Sequence, residues 1–361
     1  MSHWDFAIVG GGVAGVTAAA ALSEFGSVLL LEAETALGYH ASGRSAALYE
    51  PQYGKPAVRE LSLATGPALR TAGVLSPRGL LMVAGPDLAE AFEADRAAMQ
   101  LDRLSPDEAV AMVPVLRRAA VALAAHHPDA WDIDTDLWIQ TNARRARAQG
   151  ARIETGARVD TIRRVREGWE IAAGGQTHAV RLLVNAAGAW VGAVAAMAGI
   201  EGPQFRPCRR SMARIPAPEG HDVRGWPMLF GPGEDWYAKP DAGALIVSPA
   251  EEDPVEPHDA WADDMVLAEG LARYEAMVTA PVTRLIGSWA GLRTFAPDRV
   301  LVIGRDPADP DFFWLAGQGG YGFQTSAAAA RLCADLIAGR APELDRATVA
   351  ALSPARFATA S

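Results

Sequence analysis

Asp5-Phe6-Ala7-Ile8-Val9-Gly10-Gly11-Gly12-Val13-Ala14-Gly15 is the stretch that decides how this chain begins to fold. An apolar run ending in glycine reads as a buried strand, and Val13 to Phe25, Ala-rich and free of proline, reads as a helix closed by Gly26. Val28 to Leu31 is a second apolar run and ends at Glu32. Strand, turn, helix and strand in this order predict a parallel unit. Within it Gly10 makes the tight turn, Gly12 lets backbone N–H groups approach a pyrophosphate, and Gly15 lets helix and strand pack closely. Glu32 would accept from ribose hydroxyls, and its charge would repel a 2′-phosphate. The motif by itself accommodates either FAD or NAD.

Working outward, the loop Leu37-Gly38-Tyr39-His40-Ala41-Ser42-Gly43-Arg44-Ser45 follows the acid directly. It offers hydroxyls, N–H groups and a cation to a second phosphate or to a flavin. Far downstream, Gln318-Gly319-Gly320-Tyr321-Gly322 opens a helix expected over about 325–337, whose positive end suits the anionic edge of a reduced flavin. Both features favour FAD. A helix is expected around Trp138 to Gln149, closed by Gly150. Arg152 to Thr155 and Thr161 to Ile171 alternate like strands of a small antiparallel sheet. Leu182 to Val184 and Phe312 to Leu315 read as further buried strands. Nucleotide-fold elements thus occur at the start, middle and end of the chain. The expected division is a discontinuous dinucleotide domain over 1–75, 141–205 and 299–361, interleaved with a substrate domain over 76–140 and 206–298.

Composition limits the function classes. The 361 residues are half hydrophobic and carry a formal net charge of −10, which argues against nucleic acid as partner. Phe6 to Leu22 is apolar, but Asp5 precedes it and glycines interrupt it, so neither a signal peptide nor a transmembrane segment is expected. Two cysteines, Cys208 and Cys333, make no disulfide framework and suit a reducing cytoplasm. No metal site is expected.

Several motifs recur together: Gly10 to Gly15 with Glu32, Gly43-Arg44-Ser45, Asn185-Ala186-Ala187-Gly188-Ala189-Trp190, Trp289-Ala290-Gly291-Leu292-Arg293 and the glycine turn at Gln318 to Gly322. In this order they resemble the D-amino-acid oxidase superfamily, which includes glycine oxidase, sarcosine oxidase and the bacterial D-amino-acid dehydrogenases. Gly38-Tyr39-His40, Asp132-Ile133-Asp134-Thr135-Asp136 and Trp289 to Arg293 give the resemblance a bias toward the bacterial D-arginine dehydrogenases. The resemblance implies a glutathione-reductase-like FAD-binding Rossmann domain of α/β class, interleaved with an α+β substrate domain built on a mixed antiparallel sheet. For FAD it implies Gly10, Gly12, Val13, Ala14, Gly15, Glu32 and Ala33 at the opening motif. It adds His40, Ser42, Gly43, Arg44, Ser45 and Ala46 from the loop, and Val159, Ala187, Gly188 and Trp190 from the middle of the chain. From the late turn it adds Gly319, Gly320, Tyr321, Gly322 and Gln324. Sarcosine oxidases attach flavin to a cysteine near the position of Arg293, where neither cysteine of this chain falls, so the FAD is expected to be non-covalent. His40 matches a loop histidine that hydrogen-bonds rather than links.

A small α-amino acid presents a carboxylate, and a dry pocket captures one best with a planar bidentate cation. Arg210 and Arg293 stand at strand-like positions in the expected substrate domain, and the relatives use arginines there. Tyr237 matches a carboxylate-binding tyrosine, Tyr53 a lid tyrosine, and the Gly320 carbonyl an acceptor for the substrate amine. The expected reaction is oxidative deamination of free D-amino acids to 2-keto acids, by hydride transfer from Cα to flavin N5 and imine hydrolysis. Glycine, sarcosine or another secondary amine, or an α-hydroxy acid, remain alternatives, as does a non-enzymatic FAD-binding subunit. No pocket histidine is in view as a base for hydroxy-acid chemistry; His126, His127, His221 and His258 read as exposed loop residues. Leu80 stands where arginine-preferring relatives carry an acid, Leu48 replaces a histidine and Glu50 a threonine. Leu48 and Leu80 point to apolar or broad side chains; Glu50 would admit a cation if it faces the pocket. The motifs leave the electron acceptor open among oxygen, a quinone and other carriers.

Overall fold

The computed structural model describes residues 2–358. Its first sheet grows from the opening motif. Strand Ser2–Val9 has parallel partners on both sides, Val28–Leu31 and Gln176–Asn185. Phe312–Ala316 lies parallel to the end of Gln176–Asn185, and Val302–Arg305 turns back antiparallel on it. Val159–Val165 and Gly168–Ala173 form a hairpin beside the first half of Gln176–Asn185. Side chains alternate between two covered faces. Phe6, Ile8 and Leu30 enter a core shared with the helices Val13–Leu22, Pro56–Thr71, Thr135–Ala148 and Gly322–Ala338, while Ala7, Val9 and Leu31 enter a second core on the other side. Burial on both faces is why these strands read as unbroken apolar runs.

The first sheet and helix change two expectations. Arg152–Glu154 pairs in parallel with Val28–Leu31, at the edge of the main sheet, rather than joining an antiparallel one. The helix Thr135–Ala148 precedes it, and a helical crossover returns the chain in the same direction. The first helix stops at Leu22, four residues before Gly26. Gly26 is not in the left-handed region; a Cβ there would meet the Asp5 carboxylate at 2.7 Å, so its role is close approach.

The second sheet runs in the order Asp253–Pro254, Arg206–Pro216, Ala244–Ser248, Tyr237–Asp241, Met228–Phe230, Leu80–Ala84, Leu123–His127 and Asp102–Leu104. Gly287–Phe295 flanks Arg206–Pro216 on its other side. The pairing of Met228–Phe230 with Leu80–Ala84 is parallel, inside an otherwise antiparallel sheet. His126 and His127 close a strand of this sheet and are half-buried, which corrects their reading as exposed loop residues. A small third sheet of Leu48–Tyr49, Trp131–Ile133 and Leu75–Pro77 lies between the two large ones in sequence.

We propose the interleaved two-domain division with one boundary moved. A boundary at 140 would cut the Thr135–Ala148 helix, whose Trp138, Ile139, Ala143 and Ala146 all enter the core of the first sheet. That helix belongs whole with the dinucleotide half. Among the described residues no helix is long and apolar enough to cross a membrane.

Candidate active site

The glycine motif shapes a cradle that side chains would fill. Gly10 sits at φ +110°, and a Cβ there would lie 2.4 Å from the Ala186 carbonyl oxygen. At Gly15 a Cβ would lie 1.8 Å from the Gly10 carbonyl oxygen, so helix and strand touch backbone to backbone. Glu32 accepts from the Gly11 amide at 2.6 Å and the Glu34 amide at 2.8 Å, which aims its carboxylate across the turn. The first helix has no side-chain cap of its own; Ser42 supplies one from the loop, accepting from the Val13 amide at 3.0 Å.

Two cavities adjoin along this cradle. The smaller, about 190 Å³, is bounded by Gly10, Glu32, Ala33, His40, Val159 and Trp190, with Ala187 beside them. The larger, about 560 Å³, is bounded at its near end by Val13, Ala14, Ser45, Ala46 and the turn Gly319 to Gly322 with Gln324. Gly12, Ser42, Arg44 and Gly188 border both. The two adjoining cavities, closed to Cβ atoms at the glycine turn, leave room for a dinucleotide along the cradle. Gly15 and Gly43 border neither. Gly43 closes the loop, its amide donating to the Gly38 carbonyl at 2.6 Å.

The loop behaves differently from the expectation that Arg44 offers a cation to phosphate. Its guanidinium donates to the carbonyls of Ala260 at 2.8 Å and Ala290 at 3.1 Å, and pairs with Asp259. Tyr39 also donates to Asp259, at 3.2 Å. His40 lies 3.1 Å from Glu34 and packs on the Trp190 ring. Glu34 and Asp259 were not singled out from the sequence. Their partners lie in other segments, and no spacing rule reports that.

At the far end of the large cavity, antiparallel pairing of Arg206–Pro216 with Gly287–Phe295 sets Cys208 opposite Arg293 and Arg210 opposite Gly291. Strand alternation sends Arg209 away, to Glu251, Asp253 and Asp263. Arg210 points inward and is 2% exposed. Its Nη2 lies 3.1 Å from Glu252 and 3.8 Å from Glu234, and its Nε has no partner. Arg293 carries no ion pair within 4.0 Å among the described residues, and a Cβ on Gly320 would sit 3.0 Å from its Nη1. The Tyr237 hydroxyl is buried and unpartnered. Tyr53 donates to Glu234 and packs near Tyr321, their ring centres 5.2 Å apart. Burial holds the Tyr53 hydroxyl well above the usual phenol range, so it stays protonated and can donate. Burial, and next the like charge of Arg293, pull the Arg210 guanidinium down, as expected of two cations facing one space.

The structure therefore brings Arg210, Arg293, Tyr53, Tyr237 and Gly320 to one cavity. Glu234, Met228 and Phe230, missed from the sequence, join them, beside Leu48, Leu80 and Glu50. Glu234, in the turn after Gly231-Pro232-Gly233, spans from Tyr53 toward Arg210 at the mouth, with its backbone at φ +55°. Leu48, Leu80, Met228 and Phe230 supply an apolar wall, and Glu50 borders the same cavity.

A glycine-cradled βαβ unit, opening onto a pocket of buried arginines and tyrosines, defines a flavin-type dinucleotide oxidoreductase. A family model described as FAD dependent oxidoreductase (DAO) matches residues 5–336, and the chain belongs to that family. Its cofactor is FAD. The FAD-dependent oxidoreductase domain-containing protein 1 of Xenopus laevis is 26% identical over 406 residues, covering 92% of this chain and 79% of that protein. A D-amino acid dehydrogenase of Xanthobacter autotrophicus is 41% identical over 73 residues, which is 20% of this chain and 16% of that protein. Among solved structures, glycine oxidase from Geobacillus kaustophilus superposes with a TM-score of 0.85 at 23% identity, covering 99% of this chain and 100% of that one. L-proline dehydrogenase from P. horikoshii gives 0.83 at 20% identity, covering 99% and 98%. These two likenesses are of fold.

Proposed function

We propose that this FAD-dependent oxidoreductase oxidises the Cα–N bond of free D-amino acids, holding FAD non-covalently. The observation that supports this reading most is the unpaired Arg293 beside Gly320, with the unpartnered Arg210 Nε and Tyr237 hydroxyl in the same cavity. Buried donors without partners each cost about 1–3 kcal/mol, and a substrate carboxylate repays that cost by accepting from them. Arg293 and Arg210 bind the carboxylate, and Tyr237 adds its hydroxyl. Tyr53 closes the mouth over the substrate. The Gly320 carbonyl accepts from the amine, which together with the arginines fixes where the Cα–H points. When bound, FAD would supply the two-electron acceptor for this oxidation. The free N–H groups at the start of the Gly322–Ala338 helix, which lacks a side-chain cap, put a positive end at the same wall. The imine product hydrolyses in water to the 2-keto acid. The local match to D-amino acid dehydrogenases favours the D series. The chain carries no cysteine at the position of Arg293, which favours reversible FAD.

The test is anaerobic mixing of the purified yellow protein with single D- and L-amino acids, glycine, sarcosine and 2-hydroxy acids, following the flavin band. Bleaching by D-amino acids is the expected result. Bleaching only by glycine, sarcosine or hydroxy acids overturns the D-amino-acid reading and keeps the family. Acid precipitation should leave the yellow colour in the supernatant; colour in the pellet would mean a covalent link.

A further inference from the structure

Glu50 is a buried carboxylate at the wall of the large cavity, and the mechanism above gives it no task. Leu48 and Glu50 stand two residues apart on an extended segment, so both face the cavity, while Tyr49 between them turns away to donate to the Ser62 carbonyl at 3.2 Å. Glu50 is 2% exposed. One carboxylate oxygen accepts from the Gln52 amide at 3.0 Å, and the other lies 3.0 Å from His127 Nδ1. Its own amide donates to Gln324 at 3.2 Å. A carboxylate has about four acceptor sites, so about two stay free. Among the described residues no lysine or arginine lies within 4.0 Å of it; the His127 ring is its one basic neighbour. Burial, with Asp129 nearby adding to it, raises the Glu50 carboxyl above its ordinary value, so its present partners undercompensate the charge.

The path to this carboxylate from the arginines is apolar. Leu80 pairs with His127 on one side and Met228 on the other, which aligns the wall of Leu48, Leu80, Met228 and Phe230 beside the Glu50–His127 pair. The positive groups of the cavity are placed elsewhere. Arg210 and Arg293 face the carboxylate site, Arg44 is tied to Asp259, the exposed Lys55 donates to the Asp298 carbonyl, and Arg59, which also borders the cavity, makes no ion pair with Glu50 among the described residues. The geometry thus separates two poles by an apolar wall: guanidiniums at one end and an undercompensated carboxylate at the other.

We propose that Glu50 determines side-chain specificity by receiving a cationic terminus, an ω-ammonium or ω-guanidinium, whose aliphatic stem lies along Leu48, Leu80 and Phe230. This rests on the reading that the arginines hold the substrate carboxylate. His127 positions the Glu50 carboxylate, and the apolar wall selects a stem several methylenes long.

The test uses paired cationic and neutral substrates on the FAD-loaded protein. Wild type should show kcat/KM for flavin reduction at least about tenfold higher for D-arginine than for D-citrulline, and for D-lysine than for D-norleucine. Glu50→Gln should erase both ratios, and Glu50→Asp should retain part of them. Flavin content and melting temperature report whether each variant folds. A wild type that prefers the neutral partner, or ratios unchanged in Glu50→Gln, overturns the proposal. A second readout separates it from the catalytic reading. 5-Guanidinopentanoate and hexanoate have no α-amine to oxidise, and their binding is read by titrating the flavin spectrum. Tenfold tighter binding of the guanidino acid, lost in Glu50→Gln, upholds the role of Glu50 even if no D-amino acid reduces the flavin. Equal binding of the two acids overturns it even if D-amino acids are oxidised.

Discussion

At the dinucleotide end of the cleft the polar side chains find partners within the protein: Glu32 takes two amides, Ser42 caps Val13, and Arg44 bonds Ala260, Ala290 and Asp259. At the end proposed for the substrate, Arg210 Nε and the Tyr237 hydroxyl lack partners, and Arg293 lacks a counter-ion, among the described residues. The first end is a shape, made mainly of backbone, that is complete before anything binds. The second is a set of unmet hydrogen bonds held in place by strands. At a cavity, a buried group the fold leaves unpartnered gains more from a ligand than a satisfied one does.

The contrast can be broken at either end, with effects of different size and kind. Gly15→Val should have the largest. Its first carbon would already lie 1.8 Å from the Gly10 carbonyl oxygen, so the helix must leave the strand. Purified protein should carry no flavin absorbance and melt early, since overpacking costs about 1–3 kcal/mol or more. Flavin retained at wild-type stoichiometry would show that the cradle is not set by this contact. Arg293→Met acts at the other end. Flavin stays bound, while half-saturation of flavin reduction by a D-amino acid moves up by about 2–5 kcal/mol, on the order of 30-fold or more. An unchanged half-saturation would remove Arg293 from the carboxylate site. Asp259→Asn should be the smallest. It loosens Arg44 and Tyr39 at the edge of the smaller cavity, but Asp259 is an exposed partner, so the change is at most about 1 kcal/mol. Fluorescence titration of the apoprotein with FAD should show a few-fold weaker affinity, and a hundredfold loss would mean the loop is held by this residue alone.

The site was legible to uneven depth. Gly10, Gly12, Gly15 and Glu32 announce themselves because one βαβ unit places them locally, within a span the chain closes by itself. Arg210 and Arg293 were visible as strand positions, but that one faces inward beside Glu252 and the other stands free followed from the pairing of their strands. The Glu50–His127 pair joins residues 77 apart, and Arg44–Asp259 joins residues 215 apart. Reading His127 as an exposed loop missed its strand because Leu123–His127 alternates weakly and its register with Leu80–Ala84 is a long-range fact.

By itself the amino-acid sequence determined the nucleotide-binding unit, the apolar strands buried on both faces, and the absence of a disulfide framework. Those properties depend on neighbours a few residues away, where propensity, glycine geometry and hydrophobic period operate. Tertiary structure alone decided which charges are paired and which are left open to a ligand. Compensation of a buried charge depends on distances of a few ångströms between segments remote along the chain, and no local pattern encodes them.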